Sequence, residues 1–218
     1  MELKNKKIAF LGDSITEGCC IDNIENVYWK RIGRAANCEV YGYGISGTRI
    51  SRSQRPSKNT RDDLYFKSRL PEMIDDADIV VVFGGTNDCG HGDAPIGTMD
   101  DRTDDTFYGA IHNLITSLQE KYPKAQLVFM TPSRRDEEPW NYVDYEGVTT
   151  PRYLPDYVAI IKEVVTSRGI PVFDLYQAWD FKPEIPENVK RYIPDGLHPS
   201  EEGHEMIAQH LMGFLETL

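Results

Sequence analysis

The segment DIVVVFGG (78–85) decides the fold class, because five consecutive apolar residues, IVVVF, stand directly before a glycine pair. A run that is apolar throughout is typical of a central strand in a parallel sheet, where helices cover both faces. Other short runs rich in β-branched residues predict further strands: KIAFLG (7–12), CEVYGYG (38–44), AQLVFMT (125–131) and IPVFDL (170–175).

Longer amphipathic patterns alternate with these strands, at 26–37, 106–123, 153–169 and about 200–216. In the second pattern one helical face collects the apolar residues Phe107, Ile111, Leu114, Ile115 and Leu118. The alternation predicts an α/β fold, a three-layer α/β/α sandwich with a mostly parallel five-stranded sheet. No Pro/Gly/Ser-rich linker divides the 218 residues, so we expect a single domain over 1–218.

Acidic side chains dominate the charge balance, with 35 Asp and Glu against 24 Lys and Arg and a formal net charge of −11. This balance argues against a broad surface for nucleic acid or anionic membranes, since both need a positive face. The first apolar run is too short for a signal-peptide core, and Cys19, Cys20, Cys38 and Cys89 lack C-x-x-C spacing. We therefore expect reduced thiols and a cytoplasmic location, unless a leader has been removed.

The stretch FLGDSITEG (10–18) places Ser14 just after the first predicted strand, where a helical turn begins near Thr16. The backbone N–H of Ser14 could then point outward with the positive end of the helix dipole, a good place for negative charge to develop on an oxyanion during attack by a serine nucleophile. Alternatively, Asp13, Ser14 and Thr16 only cap the turn, and the local sequence does not decide between the two.

The candidate base comes from YIPDGLHPSEEGHEMIA (192–208), in which Asp195 and His198 are three residues apart. Within one tight turn the Asp could hold one imidazole nitrogen while the other faces a serine hydroxyl. The alternative for this pair is a turn Asp and a helix-capping His.

Candidate oxyanion donors follow the second and third predicted strands, in YGYGISG (41–47) and FGGTND (83–88). A glycine backbone N–H and the Asn87 side-chain amide could both donate there, or these residues could simply form tight turns. Because the carboxyl ends of parallel strands meet at one edge of a sheet, we expect Ser14, Gly44 and Asn87 to lie on the same edge.

Four blocks, in order and spanning nearly the whole chain, resemble those of the SGNH, or GDSL-type, esterase and lipase family: GDSIT (12–16), GISG (44–47), GGTND (84–88) and DGLHP (195–199). The resemblance implies the flavodoxin-like SGNH-hydrolase fold. Gly42 stands where the family often has Asn, which affects a local hydrogen bond and no catalytic role. Ile15 replaces the Leu of the family's name, an apolar exchange.

By this resemblance Ser14 is the nucleophile, His198 the base and later the acid, and Asp195 the orienting carboxylate. The Ser14 and Gly44 backbone N–H groups and the Asn87 side chain form the oxyanion hole. The implied reaction is acyl transfer through an acyl-enzyme, and it needs no metal or organic cofactor.

Two insertions are expected to shape the substrate site, near 47–70 and near 133–157. The first spaces basic residues by three, at Arg49, Arg52, Arg55, Lys58 and Arg61. This stretch could attract an anionic substrate or a neighbouring subunit, or it could be a solvated loop.

The second insertion carries aromatic residues: Trp140, Tyr142, Tyr145, Tyr153 and Tyr157. They could stack on a sugar or wall an acyl pocket, or they could anchor a long loop to the body. The candidate substrate-binding residues from the two insertions and the first block are Asp13, Arg49, Trp140 and Tyr142.

We expect a serine esterase acting on short acyl groups, acetyl above all, carried by a carbohydrate or another small alcohol. One alternative is a lysophospholipase or thioesterase that uses the same triad on longer chains. Another is a catalytically silent SGNH-fold subunit that acts by binding. The expected partner is a small-molecule ester, with no nucleic acid and no stable membrane association, and self-association stays open.

Overall fold

The computed structural model describes residues 1–55, 60–136, 138–144, 146–178 and 183–218. Its strands are β1 (Lys7–Gly12), β2 (Glu39–Gly44), β3 (Ile79–Phe83), β4 (Gln126–Met130), β5 (Trp140–Val143), β6 (Thr149–Arg152) and β7 (Val172–Phe173). Five of them form one sheet in the order β2-β1-β3-β4-β7, in which every neighbouring pair is parallel. The predicted five-stranded parallel sheet is confirmed.

The helices are α1 (Ser14–Glu17), α2 (Tyr28–Ala36), α3 (Thr86–Gly90), α4 (Phe107–Lys121), α5 (Leu154–Ser167), α6 (Leu175–Ala178), α7 (Pro186–Tyr192) and α8 (Glu201–Thr217). Short 3₁₀ segments lie at Ile24–Asn26, Thr60–Asp63 and Phe66–Glu72. Within the described residues, no helix combines the length and apolar character needed to cross a membrane.

Strand β3 is buried on both faces, as its uniformly apolar sequence predicts. Ile79, Val81 and Phe83 join the core that α2 and α8 cover, whereas Val80 and Val82 join the core that α4 and α5 cover. The predicted apolar face of α4 is also buried. These two cores confirm the three-layer arrangement.

The structure departs from the sequence prediction at two element boundaries and one insertion. The last sheet strand shrinks from the predicted 170–175 to Val172–Phe173, because α6 begins at Leu175. The predicted helix at 26–37 begins only at Tyr28, after a 3₁₀ turn. In the second insertion, β5 and β6 pair as an antiparallel hairpin outside the main sheet.

The strand register brings the carboxyl ends of three strands level. Gly12 of β1 pairs with Gly44 of β2 on one side and with Phe83 of β3 on the other. The loops and short helices that follow these strands therefore start at one edge of the sheet. Ser14, Gly44 and Asn87 lie at this edge, as predicted.

Candidate active site

Ser14 is the first residue of α1, two residues beyond the end of β1. The cap of this helix is Asp13, whose carboxylate accepts the Ile15 N–H at 3.1 Å. Asp13 is buried, and burial raises its pKa to about 6. The capping interpretation therefore applies to Asp13, while the hydroxyl of the nearly buried Ser14 contacts His198.

A continuous hydrogen-bonded chain joins Asp195, His198 and Ser14. Asp195 Oδ2 lies 2.6 Å from His198 Nδ1, and His198 Nε2 lies 2.9 Å from Ser14 Oγ. With the proton on Nδ1, the imidazole donates to the carboxylate and its Nε2 accepts from the serine hydroxyl. This arrangement can remove the proton from Ser14 as the hydroxyl attacks an electrophile.

The Asp195–His198 turn is fixed by its own backbone. Gly196 adopts φ +84°, in the left-handed region that favours glycine, and Asp195 Oδ1 accepts the N–H groups of Leu197 at 2.9 Å and His198 at 2.6 Å. Partial burial disfavours the ionised carboxyl, but the hydrogen bonds from the His198 ring and from these backbone groups outweigh it. They hold the pKa of Asp195 below its usual value.

Gly44 and Asn87 stand beside α1 and in α3 respectively. A Cβ atom on Gly44 would lie only 2.1 Å from Glu17 N and 2.4 Å from Thr16 C, so β2 approaches the backbone of α1 as closely as glycine permits. The nearly buried Asn87 donates one amide hydrogen from Nδ2 to Thr48 O at 2.9 Å. That bond orients the amide, and the second hydrogen on Nδ2 can donate to a ligand.

Two buried charged residues, which sequence reasoning did not single out as site residues, hold this edge together. The Asp88 carboxylate accepts hydrogen bonds from the Ile50 N–H at 3.0 Å, the Ser51 N–H at 2.9 Å and the Ser51 hydroxyl at 2.5 Å. The guanidinium of Arg69 donates through Nη1 to the carbonyls of Gly12 at 2.8 Å and Tyr43 at 2.6 Å.

Arg69 also reaches the segment that orients Asn87, since its Nη2 lies 3.3 Å from Thr48 Oγ1. Its side chain is 2 % exposed, and burial lowers its pKa to about 10. The acceptors of Arg69 are mostly backbone carbonyls far away in sequence, so no spacing pattern could have identified it. Asp88 did carry a signal, because it ends the GGTND block.

The arginine-rich stretch is not one uniformly solvated loop. Arg49 is 7 % exposed and donates to Ser53, Arg52 pairs with Asp105 and Arg61 pairs with Glu17. Lys58 lies outside the described residues.

Glu17 connects this stretch to the GISG block. Its carboxylate accepts the Ser46 N–H at 2.7 Å and also the Ser46 hydroxyl. Through the Arg61–Glu17 pair, the first insertion is thus attached to the loop that follows β2 and to the last residue of α1.

The aromatic hairpin β5–β6 is linked to α3 through arginines. Arg152 lies over the Tyr142 ring, 3.6 Å from its centroid, and donates to Asp88 O at 3.2 Å. Arg135 lies 5.2 Å from the centroid of the Trp140 ring and donates to Cys89 Sγ at 3.2 Å.

The other aromatic residues of the second insertion differ in their environment. Tyr157 is buried against Phe107, with ring centroids 4.9 Å apart, and so anchors the segment in the core. Tyr153 is 47 % exposed, and Tyr145 lies outside the described residues.

Comparisons with known proteins agree on one family. The GDSL-like lipase/acylhydrolase family matches residues 10–206. A curated relative from Schizosaccharomyces pombe, an isoamyl acetate-hydrolyzing esterase, is 23 % identical over 224 residues, covering 94 % of this chain and 73 % of its own length.

Solved structures share the fold over nearly the full chain. A Lactobacillus plantarum protein is 30 % identical with a TM-score of 0.77, over 98 % of both chains. An Enterococcus faecalis lipase/acylhydrolase is 24 % identical with a TM-score of 0.64, over 97 % of this chain and 96 % of its own. With the family match over most of its length, the present chain belongs to the GDSL-like lipase/acylhydrolase family and is a carboxylic ester hydrolase.

Proposed function

We propose that this enzyme hydrolyses short-chain carboxylic esters, acetyl esters above all, of a carbohydrate or another small alcohol through a Ser14 acyl-enzyme. The observation that carries the proposal is the Asp195–His198–Ser14 chain, with distances of 2.6 Å and 2.9 Å. Both bonds fall within the range expected of a nucleophile, its base and the group that orients the base.

In the proposed first step, His198 Nε2 takes the proton from Ser14 Oγ while the oxygen attacks the ester carbonyl carbon. The negative charge that forms on the carbonyl oxygen is stabilised by the backbone N–H groups of Ser14 and Gly44 and by Asn87 Nδ2. Asp195 stabilises the imidazolium. The alcohol then leaves with the proton from His198, and Ser14 keeps the acyl group.

In the second step, water takes the place of the alcohol. His198 removes a proton from the water, the hydroxide adds to the acyl carbon, and the collapse of the tetrahedral intermediate returns the proton to Ser14 and releases the acid. The residues of this cycle are all provided by the chain.

The preference for a short acyl group is supported by the charged groups beside α3. The almost fully buried Arg135 pairs with Glu138 at 3.2 Å, and Arg152 donates to the carbonyls of Asp88 and Gly92. A long alkyl chain laid along this side would remove water from the partly exposed Glu138 and Arg152 side chains without replacing their hydrogen bonds to water. The name of the S. pombe relative, an acetate-ester hydrolase, fits the same preference.

A second candidate, hydrolysis of longer acyl chains, is favoured by one observation on the hairpin. Val143 and Val148 are each 57 % exposed, and Trp140 is 38 % exposed, so apolar side chains are presented to solvent at this position. Such a surface could contact a longer chain.

The deciding experiment compares hydrolysis of p-nitrophenyl acetate, butyrate and octanoate by wild type and Ser14→Ala. We expect kcat/KM to fall steeply with chain length, and Ser14→Ala to drop to background. The matched control is Ser167→Ala at the end of α5, where the hydroxyl donates to Val164 O at 2.7 Å. An octanoate preference would favour the second candidate, and a folded wild type no faster than Ser14→Ala would refute the triad mechanism.

A further inference from the structure

Two cysteines, Cys19 and Cys20, follow the C-terminal cap of α1, the helix that carries the proposed nucleophile Ser14. Gly18 ends α1 with φ +88°, and the Cys19 N–H then donates to Ser14 O at 2.9 Å. The Cys20 thiol donates to Asp195 Oδ2 at 3.7 Å, the same oxygen that holds His198 Nδ1. The pair is thus attached to both ends of the Asp195–His198–Ser14 chain.

The backbone at Cys20 brings the two sulfur atoms together. Side chains of consecutive residues usually diverge, but Cys20 adopts φ +68°, a left-handed conformation that is unusual for a residue other than glycine, asparagine or aspartate. Cys19 Sγ and Cys20 Sγ lie 3.2 Å apart as free thiols. Such a conformation is strained and recurs at functional positions such as ligand clamps.

His198 completes a group of three soft ligands. A ring nitrogen of His198 and the two sulfur atoms all lie within 4.8 Å of one another. Among the His, Cys, Asp and Glu residues that the structure describes, these three form the one group with its ligand atoms this close together. On a tetrahedral Zn²⁺ with bonds of about 2.3 Å, two sulfur atoms stand about 3.8 Å apart. The sulfur atoms would therefore separate by well under 1 Å to bind the ion.

We propose that Cys19, Cys20 and His198 bind a thiophilic divalent cation such as Zn²⁺, and that the bound ion inactivates the enzyme by withdrawing His198 from catalysis. Binding forms two metal–sulfur bonds and one metal–nitrogen bond, and the two thiol protons pass to the buffer. Cys20 is exposed and Cys19 half-buried, so the ion can reach the sulfur atoms from solvent.

Inactivation follows from the proton positions in the imidazole. Nδ1 must donate to Asp195, and Nε2 must keep its lone pair free to take the proton of Ser14. A metal bond at either nitrogen removes one of these functions. The binding half of the proposal is independent of the esterase mechanism, whereas the inactivation half rests on it.

Binding is tested with the metal alone on the full, reduced and chelator-treated chain. Co²⁺ is the spectroscopic probe, because thiolate ligands give it an intense near-ultraviolet charge-transfer band, and isothermal titration with Zn²⁺ gives the stoichiometry. We expect one ion per chain and the charge-transfer band in wild type. In Cys19→Ser/Cys20→Ser we expect no band and at least about 100-fold weaker Zn²⁺ binding.

Two further variants complete the test. Cys38→Ser removes a thiol between α2 and β2, away from this group, and should bind like wild type. His198→Gln should keep the charge-transfer band while losing about 10- to 100-fold in affinity. No band in wild type, equal Zn²⁺ affinity in the double variant, or equal affinity in His198→Gln would overturn the site.

Inactivation is measured as p-nitrophenyl acetate hydrolysis against Zn²⁺ concentration, each variant normalised to its own metal-free rate. We expect the wild-type midpoint to match the binding midpoint, a chelator to restore the rate, and the double variant to need at least about 100-fold more Zn²⁺. An unchanged midpoint in the double variant contradicts inactivation through this site. If wild type hydrolyses no ester, the proposed function fails, while the binding data still decide the metal site.

Discussion

Replacing Gly44 by alanine tests how closely β2 must approach the helix that carries Ser14. The new Cβ would stand 2.1 Å from Glu17 N and 2.4 Å from Thr16 C, both of them backbone atoms, whereas ordinary contacts begin near 3.4 Å. The end of β2 and α1 would therefore have to separate by about 1.3 Å. The substitution changes the identity of no functional side chain, so any loss of activity reports on this spacing.

The expected loss follows from that displacement. Moving a reacting group by about 1 Å typically costs about 10²-fold in rate, which is about 2.7 kcal/mol of activation free energy. Alanine keeps the backbone N–H of residue 44, but the same displacement moves this proposed oxyanion donor out of place, which acts in the same direction and costs up to about 10²- to 10³-fold for one donor. Overpacking of this kind costs about 1–3 kcal/mol of stability. We expect kcat/KM to fall at least about 10²-fold and the Tm to drop by several degrees.

The assay is p-nitrophenyl acetate hydrolysis with a thermal melt, and the matched control is Gly213→Ala in α8. A Cβ at Gly213 meets nothing within 4 Å, so this variant should keep wild-type activity and gain about 0.5–1 kcal/mol of stability from the better helix former. A Gly44→Ala enzyme within about threefold of wild type in kcat/KM would refute the reasoning.

Three further predictions concern single side chains. Asn87→Ala should lower kcat by about 10²- to 10³-fold with little change in KM, and a pure KM effect would contradict an oxyanion role. Asp195→Asn should lower kcat by about 10³- to 10⁴-fold, because the carboxylate no longer fixes the tautomer, and activity near wild type would contradict the proposed mechanism. Burial lowers the pKa of His204 to about 3, and the Nδ1 atom of its ring accepts a hydrogen bond from the Tyr28 N–H. Below about pH 6.5 the unfolded chain therefore binds a proton at His204, whereas the folded chain does not. Between about pH 6.5 and 3 this site should therefore destabilise the fold as the pH falls, by about 5 kcal/mol in total. His204→Asn should remove that slope in urea unfolding, and parallel pH profiles would contradict it.

The sheet and its site edge could be predicted because their signals are local. A run such as IVVVF reports burial on both faces, and the four blocks stand at the ends of strands or at one tight turn, where short motifs are enough. Asp195 and His198 needed only their three-residue spacing to be recognised as a candidate pair.

The supporting groups could not be predicted, since their partners are distant in sequence. Arg69 is 57 residues from Gly12 and binds its backbone carbonyl, a group that every residue has. The length of β7 depends on its pairing with only Phe129 and Met130 of β4 and on the start of α6 at Leu175, and both are tertiary features. The contacts between the hairpin and α3, and the contact between Cys20 and Asp195, correspond to no periodic pattern in the sequence.

The proposed nucleophile and its base come from opposite ends of the chain, with Ser14 and His198 separated by 184 residues. At a synthesis rate of about 5–20 residues per second, His198 leaves the ribosome roughly 10–40 seconds after Ser14. During this interval the nascent chain already carries the β1–α1 segment but has no base for it, so it cannot be acylated by the triad mechanism. Ester hydrolysis by this mechanism therefore requires that the turn carrying His198 has met Ser14, so enzyme activity reports that the two ends of the chain have come together.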